Sequence, residues 1–110
     1  MDPQGGMYRT ERDVAGELAV PAEAYYGAQT LRALENFSIT GQTLRIEMIE
    51  SLALIKKAAA LTNRMAGVLP PRIASAIAAA CDELMDGKLA DQFLVDPIQG
   101  GAGTSTNMNA

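Results

Sequence analysis

The chain has 110 residues, 48% hydrophobic and 5% aromatic, with no Trp, no His, one Cys and a formal net charge of -4. Such a composition suits one small domain with a core of compact aliphatic groups, and it argues against a Cys/His zinc site or an intrachain disulfide. An acidic balance without any Lys/Arg run excludes nucleic acid and anionic membranes as partners.

Residues 1–7 read as a flexible tail, and Met1-Asp2-Pro3-Gln4-Gly5-Gly6 has neither the basic nor the apolar part of a signal peptide. No stretch approaches the roughly 20 apolar residues of a membrane span, so a cytoplasmic location is expected. From Tyr8 to Val20 the chain mixes charge with Val14, Leu18 and Val20 around Ala15-Gly16, which predicts a short hairpin or an irregular extended segment. Pro21 and Glu23 resemble a first helical turn. Gly27 then precedes a short helix that carries Ala28, Leu31 and Leu34 on one face and ends near Phe37.

Thr43 is a plausible N-cap for a long helix, with Glu47 near its positive end. Met48, Leu52, Ile55, Ala59 and Thr62 follow helical spacing, Ile49, Ala53 and Ala60 widen the stripe, and Gly67 marks the stop. Pro70-Pro71 presets another helix, with Ile73, Ile77, Ala80 and Leu84 in register until Asp86-Gly87. Leu89 to Ile98 reads as an extended connector. The expected fold is mainly α: a small helical domain over residues 8–110 with a short extended or hairpin segment near its start.

The segment with unusual chemistry is Gly100-Gly101-Ala102-Gly103-Thr104-Ser105-Thr106-Asn107-Met108-Asn109. Glycines let the backbone approach a ligand and adopt positive φ, and hydroxyls and amides supply donors to an anion. The same composition also describes an ordinary exposed turn with a Ser/Thr cap. A Walker-type phosphate loop lacks its Lys here, and the dinucleotide pattern fails because Thr106 stands at the third Gly position.

This segment, preceded by Asp91-Gln92-Phe93, resembles the first signature region of the aspartase and fumarase superfamily. Upstream, Glu11-Arg12-Asp13, Gly16, Val20-Pro21, Tyr25-Tyr26-Gly27, Gln29-Thr30, Arg32 and Glu35-Asn36-Phe37 are similar to the same superfamily in order and spacing. The resemblance runs from about Tyr8 to the last residue. Within it, Asp96-Pro97-Ile98-Gln99-Gly100-Gly101-Ala102-Gly103-Thr104-Ser105 is closer to aspartases, since fumarases usually carry Ser at the place of Ala102 and Gln at the place of Ser105.

The resemblance implies the amino-terminal domain of a larger all-α enzyme that reversibly eliminates ammonia from L-aspartate to give fumarate, with fumarate hydratase as the alternative. It implies substrate-binding roles for Thr104 and Ser105 and loop-supporting roles for Gly101, Gly103 and Asn107, with Asn109 bracing the loop as well. It implies a homotetrameric full enzyme acting on a small dicarboxylate; no cofactor is expected, and without His or ligand-spaced acids no metal site is expected in this chain. The family's catalytic serine belongs to a later Gly-Ser-Ser loop that this sequence does not contain, so no catalytic residue is assigned and the piece alone is expected to be inactive. A different class of function is a free-standing, non-catalytic helical interaction module.

Other residues have ordinary readings. Arg32 reads as an ion-pair residue, Lys56-Lys57 as a solvated helix edge, and Asp82, Glu83 and Asp86 as surface acids. Cys81 reads as a buried structural thiol, and Tyr25 and Tyr26 as packing residues with a hydroxyl partner.

Overall fold

A computed structural model describes residues 6–110, so most of the predicted flexible tail, residues 1–5, lies outside the described residues. Met7 already belongs to the fold, since its carbonyl accepts the Ala22 N–H at 2.9 Å. The described residues divide into two compact units, residues 6–44 with 92–109, and residues 45–91 with Ala110.

The first unit opens with an antiparallel hairpin, β1 (Tyr8–Asp13) and β2 (Gly16–Pro21), in which Arg9 faces Val20, Glu11 faces Leu18 and Asp13 faces Gly16. Side chains alternate across a strand, so Arg9, Glu11 and Asp13 share one half-buried face of β1. An inward row of charges needs partners, and each of the three has them.

Arg9 donates through Nη1 to the carbonyls of Pro21, Ala22 and Ala24 at 2.8–3.0 Å and through Nη2 to Tyr26 at 2.8 Å, while its Nε meets Glu11 Oε2 at 2.8 Å. This guanidinium gathers residues 21–26 into irregular turns, where Pro21 and Glu23 led us to expect a first helical turn. With its donors fanned in a plane, Arg can serve several carbonyls at once.

Helix α1 (Ala28–Asn36) begins after Gly27, which has no side chain to act as a cap. Glu11 caps it instead: its Oε1 accepts the Ala28 N–H at 2.9 Å. A Cβ on residue 27 would lie 3.0 Å from that oxygen, so glycine keeps the approach open. The Arg9 hydrogen bond, and then the Ala28 N–H, hold the Glu11 carboxyl below its ordinary range. Asp13 accepts Arg32 Nε at 2.9 Å and Gln29 Nε2 at 2.8 Å from α1 and Ala15 N–H at 2.9 Å from its own turn. Val20, Ala28, Phe93 and Val95 form the buried apolar part of this unit.

The second unit is a helical hairpin of α2 (Ile46–Met65) and α3 (Pro71–Met85). Ile49, Ala53 and Ala60 of α2 and Ala74 and Cys81 of α3 are its buried residues. Small side chains allow close helix approach, and Lys57 Nζ meets Asp82 Oδ1 at 2.6 Å across the pair.

Both helices end in the same way. Gly67 (φ 78°) donates to Arg64 O and Val68 to Asn63 O; Gly87 (φ 85°) donates to Leu84 O and Lys88 to Glu83 O. These are paired Schellman closures that need the left-handed conformation glycine adopts without strain. The predicted Thr43 cap is not used. Arg45 is the N-cap, without a side-chain hydrogen bond, and Ile46 is the first helical residue.

After α3 the chain makes a 3-10 turn over Ala90–Gln92 within the stretch expected to be extended, and then an extended run to a second 3-10 turn at Gly101–Gly103 and helix α4 (Thr104–Asn109). The mainly helical architecture with one hairpin near the start agrees with the expectation from sequence. No helix among the described residues is long and apolar enough to cross a membrane.

A candidate carboxylate-binding turn

Asp96 anchors the approach to the glycine-rich turn from a buried position. Its Oδ2 accepts the N–H groups of Ile39, Thr40 and Gly41 at 2.7–3.2 Å and the Thr40 hydroxyl at 3.0 Å, and its Oδ1 accepts Ile98 N–H at 2.9 Å. Burial pushes the carboxyl upward, but the bonds from Ile98, Thr40 and Gly41 outweigh it and bring the pKa down to about 2. The loop after α1 is thereby tied to the segment that enters the turn.

Residues 101–103 all have positive φ, at 73°, 53° and 87°, and the middle one is Ala102. These three successive positive-φ residues lead directly into α4 at Thr104. At Gly101 a side chain is blocked twice, by its φ and by Thr104, whose Oγ1 lies 3.0 Å from the place of a Cβ. At Gly103 the requirement is the φ alone, since nothing lies within 4 Å.

Gln99 spans this turn from outside. Its Nε2 donates to Asp96 O and its Oε1 accepts Thr106 N–H, each at 2.8 Å. Farther along, Asn109 accepts Leu94 N–H and donates to Gln92 O, both at 2.9 Å, bracing the connector. Thr30 is buried on α1 with its hydroxyl 3.4 Å from Met108 O.

Thr104 is exposed, and its hydroxyl donates to the Gly101 carbonyl. Ser105 is buried, 7% exposed, and Asn107 is exposed one turn farther along. Thr104 and Ser105 line a groove of about 210 Å³ together with Gln29, Arg32, Asn36 and Phe37 of the α1 segment. The floor is close-packed on one side, where a Cβ on Gly100 would meet the Phe37 ring at 3.3 Å. A groove with hydroxyls on one wall and a guanidinium and amides on the other can receive a small anion.

Of the other residues weighed from sequence, Arg32 lines the groove, and its guanidinium is already engaged. Arg32 is ion-paired with Asp13 and also donates to Gly16 O at 3.2 Å. Cys81 is buried in the helical hairpin, and burial raises its thiol pKa. Tyr25 is 76% exposed rather than packed, and its N–H donates to Gln92 Oε1. Among the described residues no group of three or more Cys, Asp or Glu is placed to hold a metal ion.

Sequence reasoning passed over Arg9 and quoted Asp96 and Gln99 only within the signature run, without a role for either. Their work is to satisfy backbone groups, which leaves no apolar period in the sequence. The one signal was an inward-facing charge row on a hairpin strand, visible as Arg9, Glu11 and Asp13 at alternate positions.

The protein-family model described as Lyase matches residues 16–110. An aspartate ammonia-lyase of Bacillus subtilis is 58% identical over 103 residues, 94% of this chain and 22% of its own length. A class II fumarate hydratase of Halobacterium salinarum is 52% identical over 103 residues, with the same 22% of its length covered. In three dimensions, the fumarate lyase:delta crystallin of Brucella melitensis superposes with a TM-score of 0.92 at 51% identity, over 94% of this chain and 25% of that one. The chain thus spans less than a quarter of the length of the two curated relatives. With its second strand, its helices and its glycine turn all inside the region matched by the family model, the chain belongs to the lyase family, within the aspartase and fumarase superfamily.

Proposed function

We propose that this chain is the amino-terminal domain of an aspartate ammonia-lyase, a cytoplasmic homotetramer that reversibly converts L-aspartate to fumarate and ammonia. The observation that carries the reading is the 58% identity to an aspartate ammonia-lyase, joined to Ala102 and Ser105 at the two positions that separate aspartases from fumarases. Identity alone does not choose between the reactions, since a fumarate hydratase is matched at 52%. Fumarate hydration is therefore the second reading. The lone buried Cys81 and the absence of a membrane-spanning helix among the described residues agree with the proposed location.

In this proposal the domain contributes one wall of a dicarboxylate site. Removal of a proton beside a carboxylate builds up a second negative charge, and fixed donors that face this charge lower the barrier. Thr104 supplies the hydroxyl. Its single proton is committed to the Gly101 carbonyl, so donating to a substrate carboxylate means exchanging that acceptor for the new one. Ser105 lies behind it as a second donor, Gly101 and Gly103 permit the turn, and Asn107 supports the helix that follows. The base comes from elsewhere in the complete enzyme, so the 110-residue chain by itself turns nothing over.

The test is an assay of the complete enzyme with L-aspartate, L-malate and fumarate. Ammonia release from aspartate without malate turnover is expected, and hydration of fumarate without amination would overturn the reading in favour of the second. Replacing Thr104 by Val in that enzyme should remove roughly 2.7–4 kcal/mol of transition-state stabilisation, a loss of about 10²–10³ in kcat. An unchanged kcat and KM would remove Thr104 from the site.

A further inference from the structure

We infer that Gln99 is a positioning residue: its side-chain amide is the strut that holds the left-handed turn 101–103, and with it the direction in which Thr104 and Ser105 face the groove. The inference of an effect on turnover rests on the function proposed above; the strut itself does not.

Three observations carry it. First, what holds the turn from within is confined to its two ends, where Thr104 donates from its hydroxyl and its N–H to the Gly101 carbonyl. Residues 101–104 are exposed, and nothing lies within 4 Å of the place where a Cβ would stand on Gly103. Second, one of its three left-handed residues is Ala102, which prefers right-handed or extended backbone, so the conformation persists only if something outside the turn imposes it. Third, both polar atoms of Gln99 are used, and they grip opposite ends of the turn. Nε2 holds the Asp96 carbonyl before it and Oε1 holds the Thr106 N–H after it.

The entering end is fixed in turn, because Asp96 is clamped by residues 39–41 through its Oδ2. Thr106 N–H belongs to the first turn of α4, where no carbonyl of a preceding helical turn is available to it. The Gln99 amide therefore closes a bridge from an anchored residue to an otherwise unsatisfied donor, with the strained turn as the only covalent path between them. An amide of this length suits the task, since it offers a donor and an acceptor at one tip without charge. Asn would be one methylene short, and Glu would keep the acceptor and lose the donor.

The experiment compares Gln99→Met, which keeps the length and removes both hydrogen bonds, with Gln99→Glu, which keeps the acceptor for Thr106. In the 110-residue chain, amide exchange at Thr106 should quicken about fivefold to tenfold in Gln99→Met, as one hydrogen bond is lost. The carbon shifts of Ala102 should move away from left-handed values, and Gln99→Glu should restore the Thr106 protection in large part. Amides of α2 and α3 serve as the internal control and should not change.

In the complete enzyme Gln99→Met should raise KM or lower kcat at least about tenfold, with Gln99→Glu between it and the parent. Unchanged Thr106 exchange and Ala102 shifts would overturn the strut. So would collapse of the entire unit that contains α1 and α4, since Gln99 would then be holding the unit and not the turn. If the loop measurements come out as expected while the parent enzyme fails to deaminate aspartate, the functional reading fails and the strut stands.

Discussion

Replacing Arg9 tests the claim that polar bonds to backbone carbonyls, more than apolar burial, shape the start of this fold. The guanidinium serves four carbonyls, and its bonds to Pro21, Ala24 and Tyr26 are partly shielded from water, whereas the bond to Ala22 is exposed. The side chain is 34% exposed, so each shielded bond is taken at roughly 0.5–1 kcal/mol, below the range for fully buried charged donors. Arg9→Met keeps the stem and removes the donors, which gives a loss of about 1.5–3 kcal/mol. With a slope of roughly 1.5 kcal/mol per molar urea, the midpoint of the hairpin and α1 unit falls by about 1–2 M.

Arg9→Lys separates charge from geometry. One ammonium nitrogen cannot span acceptors from Glu11 to Tyr26, so the Lys variant should recover less than half of the loss. Because the chain has two compact units, the assay is amide exchange read residue by residue across a urea series, not a single spectroscopic midpoint. Ala28 N–H, capped by the Glu11 carboxylate that Arg9 holds, is the reporter for the first unit. A loss below about 0.5 kcal/mol in Arg9→Met, or full recovery in Arg9→Lys, would refute the reasoning.

Other outcomes follow from single features. The pKa of Asp96 is about 2 in the fold against an ordinary 3.8, so its contribution is complete above 3.8 and is lost as the pH falls toward 2. In Asp96→Asn, urea midpoints should be lower at neutral pH and should lose the part of the acid sensitivity that the parent shows between those values; parallel pH profiles would contradict this. Gly67→Ala should cost about 1–2 kcal/mol in the helical hairpin from the left-handed backbone alone, because no atom within 4 Å would meet the new Cβ. Thermal melts of that variant matching the parent would show the Schellman closure to be dispensable. Burial raises the Cys81 thiol pKa, so a disulfide reagent at pH 8 should react slowly until urea opens the hairpin. Rapid reaction in the folded chain would place Cys81 at the surface.

The elements themselves were legible wherever a residue type acts locally. Mixed charged and apolar residues around Ala15-Gly16 marked the hairpin, Pro70-Pro71 marked the start of α3, and Gly67 and Gly87 marked two helix ends whose φ values only glycine takes freely. Thr104 and Ser105 were singled out by composition and resemblance, and the structure brings them to one groove with Arg32 and Asn36. Where a residue works across a distance, local reading failed. Thr43 looked like a cap and is not one, while Glu11 caps α1 from 17 residues away.

What this sequence determined alone was its helical class, its hairpin turn and glycine-marked helix ends, and its family, because propensity, glycine and proline act within a few residues and resemblance needs only order and spacing. What the tertiary structure decided was how the glycine turn is held. Asp96 reaches back to residues 39–41, Gln99 closes over the turn to Thr106, and Asn109 ties α4 to the connector. Such bonds depend on which backbone groups the fold leaves without partners, and that becomes defined only once the distant segments have been brought together.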